Sequence, residues 1–182
     1  KLTSLIFPLI LKIKSYDHLL RVAINTKKIS LSLRPRLKPL KKFNAILCPY
    51  QRPNPLVKSL YYKKILKLLS TINTQEKEII LIQKGIILEG CTTNILCIRN
   101  NIIYFPKKNY YKGTTMNYLL NKTKRITKKI NISIKQLPTF DEILLVGSGK
   151  GVISLKSINK INWRSKSDLI YKELLDLYQK LL

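Results

Sequence analysis

The 182 residues suffice for one domain with a real core, since roughly 150 residues already bury about 70% of the surface that an unfolded chain exposes; 45% of them are hydrophobic. Against 35 Lys and Arg stand only 9 Asp and Glu, a net charge of +26, and taken alone such a surface would suit an RNA- or DNA-binding protein. The basic residues are mostly Lys, however, scattered among abundant Ile and Asn, the pattern that an AT-rich coding sequence produces without selection for a partner.

The three cysteines, Cys48, Cys91 and Cys97, form no CxxC pair, and His18 is the single histidine. Neither a zinc site nor a Cys-His nucleophile can be assembled from them, so no metal is expected. Cys91 and Cys97 sit among apolar residues and read as small core hydrophobes in a reducing compartment, the cytoplasm or an organelle stroma. Leu5 to Ile10 is interrupted by Pro8 and falls far short of the roughly 20 residues of a membrane span. With Lys1 in place of a methionine and no small-residue cleavage site, a complete signal peptide is not expected, and the chain reads as a fragment or a truncated frame.

In chain order, Lys1 to about Leu20 reads as a helix, followed by strands at Arg21–Ile24 and Ile29–Leu33. Five prolines between Arg34 and Pro55 fix φ and remove donors, which predicts a linker or edge-strand region and the main boundary of the chain. Residues 1–40 are then a remnant with its linker, and 41–182 the main domain. From Leu56 onward Leu60, Tyr61, Ile65, Leu68 and Leu69 recur at helical steps, with Lys58 at the helix start. The β-rich runs Ile79–Ile82, Gly85–Leu88, Ile95–Ile98 and Ile102–Phe105 suggest an antiparallel meander. A second helix should start at Gly113-Thr114-Thr115, with Thr as its N-cap and Met116, Leu119, Leu120 and Ile126 facing inward. Ile143–Val146 reads as a buried strand, Gly147–Gly151 as a turn and Val152–Leu155 as another strand. The final helix, Asp168–Leu182, is introduced by Ser165 in a capping-box arrangement. No internal repeat is visible, and strands interleaved with packing helices indicate an α/β or α+β domain.

Four segments carry candidate chemistry: Val57 to Tyr62 around Lys58, Glu89-Gly90-Cys91-Thr92-Thr93-Asn94, Lys112-Gly113-Thr114-Thr115, and Asp141 to Gly149. Glu89, one of only nine acids, sits between a strand and Gly90. Gly113-Thr114-Thr115 offers unpaired N–H groups at a helix N-terminus, which with the glycine turn at Ser148-Gly149 suits an anion such as phosphate. Taken singly, Lys58 could be a solvated lysine, Tyr62 a core aromatic, Glu89 a surface acid and each turn an ordinary cap. A nucleotide-loop reading of Gly147 to Gly151 fails, because the β-branched Val152-Ile153-Ser154-Leu155 follows where a helix is required.

In this order and spacing, with 31 positions between Lys58 and Glu89, the segments resemble the class-IV aminotransferases. These fold-type IV pyridoxal-phosphate enzymes include branched-chain aminotransferase, D-amino acid aminotransferase and aminodeoxychorismate lyase. The resemblance runs from about Val22 to the C-terminus and implies the C-terminal cofactor-binding domain, with the small N-terminal domain mostly absent. It implies pyridoxal 5'-phosphate as cofactor, Lys58 as the imine-forming lysine, Glu89 opposite the pyridine nitrogen, and Tyr62 near the ring oxygen. Tyr61 stands where Asn is commoner in the family. The Thr93-Asn94 pair belongs to the same cofactor element, while Gly113, Thr114, Thr115, Ser148 and Gly149 correspond to the phosphate-binding positions. A homodimer, no membrane, and a small amino acid or aminodeoxychorismate as substrate follow from the family, with nucleic acid outside the expected partners. The Glu89 to Asn94 and Val146 to Val152 segments look closest to 4-amino-4-deoxychorismate lyase, which releases pyruvate and 4-aminobenzoate for folate synthesis. Branched-chain or D-amino acid transamination is the alternative, and a basic RNA-binding protein the remote one.

Overall fold

The computed structural model describes residues 2–12, 18–40, 43–59 and 62–181. These divide into two compact units, Lys1–Leu37 and Lys38–Leu182.

In the first unit a short helix, α1 (Leu2–Ile10), precedes a hairpin of β1 (His18–Ile24) and β2 (Ile29–Pro35). The hairpin turns on Asn25, whose side-chain oxygen accepts the N–H groups of Lys27 and Lys28 at 2.8 and 2.7 Å. The helix expected as far as Leu20 ends at Ile10. His18 to Leu20 pair instead with Leu33 to Pro35, so cross-strand pairing decides their conformation.

The second unit is built on one mixed sheet. Its strands are β3 (Phe43–Pro49), β4 (Lys77–Gln83), β5 (Ile86–Gly90), β6 (Asn94–Arg99), β7 (Ile102–Pro106), β8 (Thr127–Ile130), β9 (Glu142–Gly147), β10 (Gly151–Ile158) and β11 (Ile161–Arg164). They run in the order β5-β4-β3-β10-β9-β6-β7-β8, with β11 added on β10. β3 lies parallel between β4 and β10, and β8 lies parallel to β7; the remaining pairs are antiparallel. The sheet curls until its edges approach: Ile87 N–H donates to Ile132 O and Ile134 N–H to Gly85 O, at 2.8 and 2.9 Å. Those bonds cover the outer edge of β5, which would otherwise present free N–H and C=O groups.

The proline-rich region is neither linker nor sheet edge throughout, because Phe43–Pro49 is an interior strand. Its apolar stretch contains no proline before Pro49, so every ladder donor it needs is present. Nor is there a continuous meander. β4 with β5 and β6 with β7 are hairpins, but β6 pairs with β9 rather than β5. The chain crosses over in the turn 91–93, closed by Gly90 N–H donating to Thr93 O at 2.8 Å.

β9 is buried on both faces, which explains its unbroken apolar run. Ile143 and Leu145 join Phe43, Ile80, Ile87, Ile95 and Phe140 in one core. Leu144 and Val146 pack on the other face with Leu96 and Val152, against helices α3 (Thr114–Lys122) and α4 (Leu169–Gln179). Met116 and Leu119 are buried there as expected, but Ile126 is 62% exposed. It lies beyond the end of α3, where the chain already runs toward β8 and Ile126 O accepts from Ile103 N–H. Cys91 and Cys97 are buried and unpaired, and burial pushes the Cys91 thiol up to about 12. Among the described residues no helix is long and apolar enough to cross a membrane.

The capping box expected at Ser165 does not form; the Ser165 hydroxyl donates to Ser167 O. The fully buried Glu142 of β9 does the work from across the fold, accepting the N–H groups of Ile170 and Tyr171 at 3.0 and 2.8 Å. A carboxylate is favoured there because the helix N-terminus is electropositive and its first N–H groups lack partners. Glu142→Ala is expected to lose about 2 kcal/mol of stability in urea unfolding, as buried donors are left unmade. A conservative Glu142→Gln should lose less, and equal losses from the two would show that the carboxylate does not cap α4.

Candidate active site

At the end of β5 the Glu89 carboxylate is 2% exposed. Arg52 grips it with both arms: Nε donates to Oε1 at 2.8 Å and Nη2 donates to Oε2. Tyr111 N–H adds a third donor to Oε2 at 3.0 Å. Burial raises the Glu89 carboxyl above its ordinary range, and the Arg52 hydrogen bonds, the Arg52 charge and the Tyr111 N–H pull against that rise without cancelling it.

From Tyr111 the network passes to Asn94, the buried first residue of β6. Asn94 Nδ2 donates to Tyr111 O at 2.5 Å, and its Oδ1 accepts Gly113 N–H at 3.2 Å. Gly113, rather than a threonine, is the N-cap of α3, in extended conformation and without a side-chain cap bond. The close approach demands glycine, since a Cβ at 113 would stand 2.3 Å from Asn94 Oδ1. Thr114 and Thr115 then form the first turn of α3. Their hydroxyls lie 3.5 and 3.3 Å from the Ser148 hydroxyl, in the turn between β9 and β10 that also contains Gly149. Ser148 O in turn accepts from the Tyr178 hydroxyl of α4 at 3.5 Å. Hydrogen bonds thus lead from a buried acid to Gly113, and the first turn of α3 continues from there to three gathered hydroxyls.

Lys58 lies outside any helix. α2 begins only at Lys63, and residues 53–59 form turns through Val57 N–H to Asn54 O and Ser59 N–H to Val57 O. These bonds span three and two residues where an α-helix needs four, and Leu66 N–H to Tyr62 O supplies that four-residue step where α2 begins. Lys58 is exposed, with Nζ 5.8 Å from the centre of the Tyr111 ring, which brings it toward the Glu89 end of the network. Tyr62 packs against the Ile65, Ile79, Leu81 and Cys91 cluster, and Tyr61 lies outside the described residues. Thr93 is buried with its hydroxyl donating to Glu78 at 3.2 Å.

Arg52 and Tyr111 are the members that sequence reasoning missed. Arg52 is one of 35 basic residues in a proline-rich stretch, and Tyr111 acts through its backbone; the only available signal was that a buried Glu89 needs donors. Two cavities of about 360 Å³ each share Gln83 and Lys84, and neither is lined by Glu89, Thr115 or Ser148.

Residues 4–158 match the family described as Amino-transferase class IV. No curated protein matches the sequence significantly. Solved structures similar to the chain include a protein assigned as a 4-amino-4-deoxychorismate lyase from Legionella pneumophila, with 18% identity and a TM-score of 0.72 over 84% of this chain and 60% of that one. The branched-chain amino acid aminotransferase of Escherichia coli gives 16% identity and a TM-score of 0.69 over 84% of this chain and 56% of that one. A hypothetical aminotransferase from Mycobacterium tuberculosis, in an alpha-ketoglutarate and PMP bound form, gives 16% and 0.69 over 82% and 60%. Identities this low establish the shared fold alone. The chain spans about 60% of the length of these structures.

Arg52→Gln strands Glu89 in the interior and is expected to cost about 3 kcal/mol near neutral pH. Since the folded-state pKa of Glu89 already lies above its ordinary 4.5, the folded protein holds this proton more tightly than the unfolded chain does. Stability from this group therefore falls as pH rises above that value, more steeply once Arg52 is gone. Urea unfolding at several pH values should show the gap between parent and variant narrowing toward pH 4.5. A gap independent of pH would mean that Glu89 is not the group responding.

Proposed function

The chain belongs to the class IV aminotransferase family and has its fold-type IV architecture, and on that premise we propose that it is the cofactor-holding part of a 4-amino-4-deoxychorismate lyase. Supporting this reading are the hydrogen bonds that run from Glu89 through Tyr111 and Asn94 to Gly113, from which the first turn of α3 carries Thr115 to Ser148. The two ends of this path suit the two ends of pyridoxal phosphate.

At one end the hydroxyls of Thr114, Thr115 and Ser148 meet at the first turn of α3, where backbone dipoles favour a phosphate. At the other, Oε2 of Glu89 carries two donors and Oε1 only one, so Oε1 can receive a further N–H from a pyridine ring. Arg52 keeps the carboxylate oriented for that contact. When bound, the cofactor supplies a carbonyl that reacts with amines and a ring that withdraws electrons. Glu89 holds the ring nitrogen in its protonated form, which favours that withdrawal. Lys58 is the covalent anchor and the group that takes and returns a proton at the substrate carbon. The mobile reach of a lysine side chain suits both tasks, and the Tyr111 ring lies within its range.

The preference for the lyase rests on the Glu89 to Asn94 and Val146 to Val152 segments. The same lysine and carboxylate would serve transamination of branched-chain or D-amino acids, with a 2-oxo acid as acceptor. A small amino compound is the substrate on either reading, and a homodimer is expected of the full-length protein.

Borohydride reduction of the cofactor-loaded protein, followed by peptide mapping, should place the label on Lys58. Label on another lysine overturns the assignment. A lyase needs no amino acceptor, so full-length protein given 4-amino-4-deoxychorismate should release pyruvate and 4-aminobenzoate through many turnovers without added oxo acid. If neither product forms while amino groups exchange steadily between leucine and 2-oxoglutarate, the protein is a branched-chain aminotransferase.

A further inference from the structure

Glu78, like Glu142, is a buried acid that takes no part in the chemistry above. It lies in β4, fully buried among apolar neighbours, and carries four donors. Its Oε1 accepts Ile79 N–H at 3.1 Å. Its Oε2 accepts the hydroxyls of Thr92 and Thr93 at 2.6 and 3.2 Å and Lys150 Nζ at 3.2 Å. Lys150 comes from the same turn as Ser148; its side chain is only 14% exposed, and Nζ lies 4.9 Å from the centre of the Phe43 ring.

Glu78 therefore grips two loops at once. The turn 91–93 leads into Asn94, and the turn 147–151 carries Ser148. The two meet at one end of the sheet, where Val146 pairs with Asn94 and Gly147 with Gly151. They touch so closely that a Cβ on Gly147 would stand 3.2 Å from Thr92 O. A buried ion pair contributes little net stability compared with apolar side chains of similar volume, because desolvation offsets the attraction. What it adds is direction: three side-chain donors from two turns converge on one oxygen.

We propose that Glu78 and Lys150 are a positioning pair for the phosphate end of the site. They set the Ser148 turn against the Thr92-Thr93 loop, and so place the Ser148 hydroxyl opposite Thr114 and Thr115. Lys150 is committed to Glu78 and is not itself a phosphate ligand. This rests on the cofactor reading above.

The test compares the affinity of the full chain for pyridoxal phosphate with that for pyridoxal, which lacks the phosphate, by equilibrium dialysis. The ratio isolates the phosphate end, and a pair that merely supports the fold would leave it unmoved. The double variant Glu78→Gln with Lys150→Met leaves no unpaired buried charge and is expected to lower the ratio about tenfold, the scale of a charged hydrogen bond. Thr92→Val, at an exposed position, removes one donor alone and should lower it about threefold. Lys150→Arg, which keeps the charge, should restore most of the preference. Unchanged ratios in the double variant and in Thr92→Val overturn the proposal. So does tighter pyridoxal phosphate binding by Glu78→Gln alone, since that would make Lys150 a phosphate ligand held back by its partner. A parent chain with no preference for the phosphorylated compound would instead overturn the cofactor reading, and the proposal with it.

Discussion

The side-chain amide of Asn94 joins parts of the molecule that no backbone ladder connects. Its N–H donor holds Tyr111 and its oxygen holds Gly113, so both ends of one planar group act on the segment just before α3. Because the amide is rigid, fixing one contact fixes the other. Tyr111 is thereby set to donate its N–H to Glu89, and Gly113 to start α3 where Thr114 and Thr115 reach Ser148. β6 supplies the anchor: Asn94 is its first residue and pairs with Val146, immediately ahead of the turn that bears Ser148. The glycine at 113 is a steric consequence of the same contact.

In a chain with 35 basic and 9 acidic residues, three acids among the described residues are placed inside. Each ties together segments far apart in sequence: Glu89 holds Arg52 and Tyr111, Glu78 holds Lys150 and the Thr92-Thr93 loop, and Glu142 holds the start of α4. A buried carboxylate without donors would be strongly destabilising, so each of these positions demands its partners. The exposed pairs Lys172–Asp168 and Lys180–Asp176 along α4 are of another kind, screened by water and worth little. The acidic residues that matter are those whose charge the solvent does not reach.

The cofactor reading and the proposed positioning pair share one geometric theme. Turns at the ends of β5, β9 and the entry to α3 carry the reactive groups, while the curled sheet holds those turns in register. Such an arrangement allows loop residues to be presented precisely enough for binding without being buried themselves. Thr114 and Ser148 remain exposed, although Thr115, Asn94 and Glu89 behind them are buried.

Composition and local pattern by themselves determined the α/β character, the apolar strands around Ile80, Leu96, Ile103, Leu144 and Ile153, and the turns that carry Glu89, Gly113 and Ser148. These are short-range properties: β-branched runs extend, glycine and asparagine turn, and an acid beside Gly90 stands out in so basic a chain. The β3 strand was hidden because prolines flank it, although Asn44 to Pro49 pair with β4 and Phe43 to Ala45 with β10. β8, with the sequence Thr127-Lys128-Lys129-Ile130, has no apolar pattern at all, and only its pairing with β7 makes it a strand. Tertiary structure alone decided that Arg52 meets Glu89, that Lys150 meets Glu78, and that Glu142 rather than Ser165 caps α4. Those choices join residues between 28 and 72 positions apart. Nothing local distinguishes one basic residue from the rest, and it is burial of the carboxylate, a property of the folded chain, that selects its partner.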